Sequence, residues 1–328
     1  MNMKKWLSIC LAVVLFAAMA CSSDAASNDR RVLRLGHQTT ETSNFHSFAL
    51  RFKELVEERS GGRLYIDIFP NAQLGFDRDL VESVQFGTLD FCVNSTSPAS
   101  NFIPAFMTLD FPFLFEDWDH VLRFINSDVN RQLLREGYDD GLVGLGMLAR
   151  GFRQTTNSRG PLATSSDFAG LRIRVIESPI YIRTFEALGA TAIAMSWGEV
   201  FTALQQGTID AQENDYTILY EERVYEVQRF ISETGHIFSF ASLLTNQDLL
   251  ESLPADLRAI IEEAGWEAGV KTSAEQIPLI EDYIEKLLNL GMQINPVDRS
   301  EMRAKVANVR AWFISQFGDK YLLLIEAL

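Results

Sequence analysis

The sequence predicts an α/β protein of two lobes. Three observations carry this: strand-like and helix-like segments alternate along the chain, one helix–turn–strand segment recurs 120 residues later, and 328 residues exceed a single ordinary domain. Apolar residues make up 47% and charged residues 22%, a globular composition that excludes a disordered or fibrous chain. With 29 Lys+Arg against 44 Asp+Glu the formal charge is −15. That balance lacks the basic footprint that nucleic acid or anionic lipid requires.

The N-terminus reads as a leader. Lys4 and Lys5 precede an uncharged, mostly apolar run over 6–20, shorter than the roughly 20 residues of a bilayer span. It ends in Ala18-Met19-Ala20, small residues at −3 and −1, the pattern of a secretory signal peptide over 1–20. Cys21 follows directly, as in a bacterial lipobox, although Ala18 stands where Leu is usual. Cys21 is therefore the candidate for acylation, plain cleavage being the alternative. Removal of the leader leaves 27 basic against 44 acidic residues, a charge of −17. Of the three cysteines only Cys21 and Cys92 remain, and they offer no disulfide framework.

The elements follow in order. Residues 32–35 alternate as a strand, and Asn44 is placed to cap a helix carrying Phe45, Phe48, Phe52, Leu55 and Val56 at helical spacing. Gly61-Gly62 stops it. A strand over 64–69 is broken by Pro70-Asn71, and Asp77 is placed to cap a helix with Leu80, Val81 and Val84 that ends at Gly87. A strand over 89–93 holds Cys92 among apolar neighbours, where a thiol is inert. The same grammar returns as a helix over 178–188, a strand over 191–195, a helix over 197–206 ended by Gly207, and a strand over 209–212. Residues 252–290 are almost continuously helical in pattern, with Pro278 as an expected kink. A short strand over 292–294 and a helix over 298–317 complete the chain. Strands alternating with helices imply βαβ units and a mainly parallel sheet.

The recurring segment is Val84-Gln-Phe-Gly-Thr-Leu-Asp90 beside Leu204-Gln-Gln-Gly-Thr-Ile-Asp210, and each continues to an Asn four residues on, Asn94 and Asn214. In open α/β sheets ligands bind beyond the carboxyl ends of the strands. Two similar lobes face to face would bring both amides to one cleft, where an amide suits hydroxyl and carboxylate groups. Five arginines, Arg150, Arg153, Arg159, Arg172 and Arg174, concentrate basic charge in this acidic chain. Alternation in 171–175 puts Arg172 and Arg174 on one strand face. Each is either a solvated surface residue or a fork for a carboxylate.

Enzyme signatures are weak. Gly144-Leu-Gly146-Met-Leu-Ala149 matches a dinucleotide fingerprint formally, but no helix pattern follows, so it reads as a glycine-spotted strand. The four histidines, His37, His46, His120 and His236, show no metal-ligand spacing, and Glu221-Glu222 reads as a solvated helix face. No metal, cofactor or catalytic residue is expected.

Seven ordered segments carry a family resemblance: SGGRLYIDIFPNAQLG (60–75), ESVQFGTLDF (82–91), LDFPFLFED (109–117), GFRQTTNSR (151–159), DFAGLRIRV (167–175), EVFTALQQGTIDAQEN (199–214) and YEVQRFISETGH (225–236). The chain resembles the DctP-type solute-binding proteins of tripartite ATP-independent periplasmic (TRAP) transporters from about Arg31 to its C-terminus. The resemblance implies a two-lobed periplasmic-binding-protein fold with a cleft between the lobes and a long helix linking them. It divides the chain into lobe I, 31–150 plus about 239–278, and lobe II, 151–238 plus about 279–328. It implies a monomer in the periplasm or on the envelope exterior that captures an organic acid without catalysis and delivers it to membrane permease subunits.

The family's anchor Arg falls on Arg174, its second Arg on Arg153, its motif Asn on Asn214 and its aromatic wall on Trp197. His37 and the strand end from Asn94 to Thr96 line the cleft in relatives. Ala211 and Asp215 depart from the family's usual Gly and Pro. Asp215 either holds solute hydroxyls or faces solvent. With His37 and Asn94 it favours a sugar acid, a uronate or aldonate, over a C4-dicarboxylate.

Overall fold

The structure, a computed structural model, describes residues 30–328, so the expected leader over 1–20 and Cys21 lie outside the described residues. Lobe I is built on β1 (Arg31–Gly36), α1 (Asn44–Arg59), β2 (Leu64–Phe69), α2 (Asp77–Gln85) and β3 (Phe91–Ser95). After α3 (Trp118–Ile125) and α4 (Asp128–Leu134), β4 (Leu142–Phe152) leads into β5 (Gln154–Asn157) of lobe II. There β6 (Arg172–Val175), α5 (Pro179–Ala187), β7 (Thr191–Ala194), α6 (Trp197–Gln205) and β8 (Ala211–Asn214) repeat the opening unit. α7 (Tyr216–Glu221) and β9 (Phe230–Glu233) follow, and β10 (Phe238–Asn246) returns to lobe I. The chain ends with α8 (Gln247–Ser252), α9 (Ala255–Asn289), β11 (Gln293–Pro296), α10 (Arg299–Lys305), α11 (Ala307–Phe317) and α12 (Lys320–Glu326).

The sheets run β2-β1-β3-β10-β4 and β11-β9-β5-β8-β6-β7. Within them β1 pairs β2 and β3 in parallel, and β6 pairs β7 and β8 in parallel. The repeat seen in sequence is thus a repeat of topology. Its joints match in detail. Gly87 and Gly207 take φ of 69° and 68°, which frees each chain to turn out of its helix. Thr88 N donates to Ser83 O, and Thr208 N to Ala203 O, both at 2.9 Å. Asp90 then accepts from Arg34 N at 2.7 Å, and Asp210 from Arg172 N at 3.0 Å. These caps occupy the residues expected to start the strands, so β3 and β8 each begin two residues later than the pattern suggested.

Helix starts differ for a related reason. Ser43, in extended backbone, caps α1 by accepting from His46 N, which leaves Asn44 inside the helix. Asp77 is likewise the first residue of α2 and does not cap it. Gly144 and Gly146 lie in β4, and their role is contact. A Cβ on Gly146 would stand 2.7 Å from Gly265 C and nearer still to its carbonyl oxygen, so α9 rests directly on the strand. Ser273 Oγ accepts from Ala149 N at 2.8 Å, satisfying an edge amide of β4.

Helix α9 is unbroken over its 35 residues despite Pro278, about 50 Å at 1.5 Å per residue. Ala264 and Ala268 pack in lobe I with Phe48 and Val93. Tyr283 and Leu287 pack in lobe II with Tyr216, Leu219 and Ile231. Where β4 and β10 leave lobe I, Phe115, Phe124, Phe152, Phe238 and Phe240 pack in tilted and edge-to-face pairs around the crossing. The helix expected over 298–317 is interrupted at Val306, giving α10 and α11.

Strands β1–β4 and β10 form one sheet and β5–β9 and β11 the other, and the end of the chain departs from the expected division. Residues 320–328, assigned to lobe II, pack on lobe I. His120 Nε2 donates to Ile325 O at 2.9 Å and Arg123 Nε to Leu328 O at 2.8 Å. Tyr321, Leu322 and Ile325 supply the buried stripe that requires this docking.

Candidate functional site

The space between the lobes lies beyond the carboxyl ends of β1, β3, β6 and β8. It has an empty volume of about 370 Å³, lined from lobe I by Gln38, Thr39, Asp77, Ser95 and Arg150, and from lobe II by Arg174, Trp197 and Asn214, with Arg153 at the crossing.

Three arginines meet here, and their hydrogen bonds separate their roles. Arg153, 1% exposed, forks onto Glu213: Nη2 donates to Oε1 at 2.9 Å and to Glu213 O at 2.7 Å, and Nε to Oε2. Nη1 donates to Ser239 at 2.9 Å. Burial pushes the Glu213 carboxyl up, but Arg153 and His236 together outweigh it and hold the group below its ordinary value. Most of the Arg153 donors are therefore committed to the protein. Arg150 pairs with Asp215 at 2.9 Å, both side chains being almost fully buried. Arg174 makes a single protein bond, Nε to Met195 O at 2.9 Å. Its two terminal nitrogens have no protein partner among the described residues. Burial pulls its pKa down to about 10, so it stays charged at neutral pH. Its guanidinium carbon stands 5.5 Å from the centre of the Trp197 ring.

The acceptors are arranged around this cation. Gln38 Nε2 donates to Asp77 Oδ2 at 2.7 Å, which leaves Gln38 Oε1 and Asp77 Oδ1 without partners. Burial pushes the Asp77 carboxyl up to about 6, against the pull of Gln38 and Arg174. An unpartnered buried acceptor costs free energy until a donor reaches it.

Of the residues singled out in the sequence, Arg153, Arg174, Trp197 and Asn214 line the cleft. The other four do not; each is the chain neighbour of a lining residue. His37 is buried and meets His46, Nε2 to Nδ1 at 2.9 Å, so two histidines pair that sequence spacing kept apart. Burial, and next the His46 charge, pull the His37 pKa down to about 3. Asn94 Nδ2 donates to Asp77 O at 2.6 Å and so pins the start of α2. Thr96 Oγ1 donates to Phe240 O at 3.3 Å. Asp215 does not face solvent: it caps α7 through Ile218 N at 3.2 Å and pairs with Arg150.

Sequence reasoning missed Arg150, Asp77 and Gln38, while of the strand end from Asn94 to Thr96 it is Ser95 that lines the cleft. Only Arg150 carried a signal, as a member of the arginine cluster. Glu221 and Glu222 also depart from expectation. Both are half-buried; Tyr283 OH donates to Glu221 at 2.6 Å, and Thr40 N to Glu222 at 3.4 Å.

Two α/β lobes enclosing a cleft with one unpartnered guanidinium, an aromatic wall and spare acceptors define a binding protein for a small anionic solute. The chain belongs to the DctP family, bacterial extracellular solute-binding protein family 7, whose family model matches residues 35–316. It is 34% identical to a solute-binding protein of Verminephrobacter eiseniae, over 92% of this chain and 91% of that one. It is 34% identical to the 2,3-diketo-L-gulonate-binding periplasmic protein YiaO of Escherichia coli, over 77% and 76%. With the C4-dicarboxylate-binding periplasmic protein DctP of Shewanella loihica it shares 35% identity over 72% and 70%. Among solved structures, a TRAP periplasmic solute-binding protein from Polaromonas bound to D-erythronate matches with a TM-score of 0.87 and 32% identity, covering 91% of this chain and 99% of that one. One from Shewanella oneidensis with bound succinate gives 0.85 and 31%, covering 91% and 99%. The chain is thus a solute-binding protein of the TRAP type. No helix among the described residues is long and apolar enough to cross a membrane.

Proposed function

We propose that the protein captures a sugar acid, a uronate or aldonate, and hands it unchanged to TRAP permease subunits. One observation carries the choice of solute: Arg174 is the cleft's free fork, and two acceptors, Gln38 Oε1 and Asp77 Oδ1, stand without partners around it, beside one unpartnered donor, Arg150 Nε. Acceptors match the hydroxyls of a sugar acid. A second carboxylate would face Asp77 as a like charge. Relatives of similar identity bind D-erythronate or 2,3-diketo-L-gulonate on one side and succinate or C4-dicarboxylates on the other, so likeness alone does not choose.

A thermal-shift and calorimetry panel of uronates, aldonates, keto acids and C4-dicarboxylates tests this. The reading expects the strongest response among the uronates and aldonates; a response confined to dicarboxylates overturns it. Mass spectrometry should return the bound acid intact, and any turnover would replace the binding role with a cleft enzyme. Export by the leader over 1–20 and a lipid tether at Cys21 belong to the same proposal. An acyl mass on the N-terminal peptide that vanishes in Cys21→Ser checks the tether. The mature chain is expected to run as a monomer.

A further inference from the structure

We propose that Phe76 and Gly198 form a latch at the rim of the cleft that holds the lobes closed over the solute and sets its residence time. The proposal rests on the binding role argued above. Phe76 belongs to lobe I, directly before α2, and Gly198 to lobe II, as the second residue of α6. A Cβ on Gly198 would stand 2.7 Å and 3.0 Å from the two Cε atoms of Phe76 and nearer still to Cζ. The ring tip therefore touches the backbone of the opposite lobe, and a methyl at Gly198 would have to push the ring aside.

Nothing in the backbone of Gly198 requires glycine. It lies in a helix and its φ is not positive, so alanine fits its conformation and would favour the helix. The ring is what the missing side chain makes room for. Phe76 does not line the solute space. It lines a neighbouring cavity at the mouth together with Trp197, Gly198 and Phe201, and Trp197 belongs to both spaces. Trp197 thus stands between the latch and Arg174. Phe76 is 37% exposed although large and apolar. A residue of this kind on a moving lobe gains its contact only when the lobes close, and such a contact favours the closed state without touching the solute. The Thr40 N–Glu222 bond spans the same rim.

The latch acts after encounter, so it belongs to dissociation. With D-erythronate, D-galactonate and D-glucuronate as probes, stopped-flow tryptophan fluorescence should show that Phe76→Ala raises the dissociation rate about fivefold to tenfold, the size of one lost aromatic contact, with association nearly unchanged. Gly198→Ala should raise it too, because its methyl meets the ring. The double variant Phe76→Ala/Gly198→Ala should be no worse than Phe76→Ala alone, since removing the ring removes the clash. Unliganded variants should melt with the wild type. Wild-type dissociation in Phe76→Ala, or additive effects of the two changes, overturns the latch, and so does a loss that falls on association.

If the wild type binds none of the three acids, the latch is decided without solute. In a Cys10→Ser/Cys21→Ser background, Phe76→Cys/Gly198→Cys should be bridged by a bimane reagent that fluoresces only on joining two thiols. Buried Cys92 remains out of reach. No bridge in that variant means that the rims do not meet.

Discussion

At the scale of single residues, two buried arginines in one cleft have opposite duties. Arg153 is half of a buried pair with Glu213, and burying Glu213 alone is costly. Arg153→Ala should therefore lower unfolding stability by about 3–5 kcal/mol in urea titration, the usual loss when one partner of such a pair is removed. Among the described residues Arg174 makes no direct ion pair with a protein carboxylate and only one protein hydrogen bond, so Arg174→Ala should leave the urea midpoint close to wild type and abolish most solute affinity by calorimetry. A melted Arg174→Ala, or one that still binds, would show the roles to be misassigned. Asp77 adds a pH dependence. Burial raises its carboxyl to about 6, and a solute hydroxyl donating to its unpartnered Oδ1 favours the charged form. Below pH 6 protonation removes that acceptor, so affinity should fall as pH drops from 7 to 5, read by calorimetry. Asp77→Asn should flatten the profile.

At the scale of elements, the glycines of β4 and α9 decide how the long helix lies. Gly146 and Gly265 touch backbone to backbone. Gly146→Ala should cost about 1–3 kcal/mol of stability as an overpacking change, read by chemical denaturation, because no flexible side chain can move aside. The order of helices and strands was legible in the sequence through periodicity and glycine stops, and so was the repeat. The strand starts at Phe91 and Ala211 were not, because Asp90 and Asp210 spend the preceding residues capping neighbouring strands. Arg174 was legible as a cation on an alternating strand. Asp77 was not: an Asp at a helix start looks like a cap, and only the third dimension turns its carboxylate towards Arg174. The commitment of Arg153 to Glu213 was hidden for the same reason, since the two lie 60 residues apart.

At the scale of the whole molecule, the acidic surface opposes an anionic solute at long range, so recognition must be local and desolvated. Solute affinity should change less than about threefold between 0.05 and 0.5 M salt, because buried pairs are weakly screened. A steep salt dependence in calorimetry would instead point to surface steering.

The C-terminal helix has a practical consequence. Because α12 docks on lobe I through His120 and Arg123, a fluorescent protein fused after Leu328 travels with lobe I. A paired fluorophore placed on lobe II, at the exposed turn of Gly170 before β6, would report the gap between them. The fold thus supplies its own attachment points for an optical sensor of the solute, with one label free at the terminus.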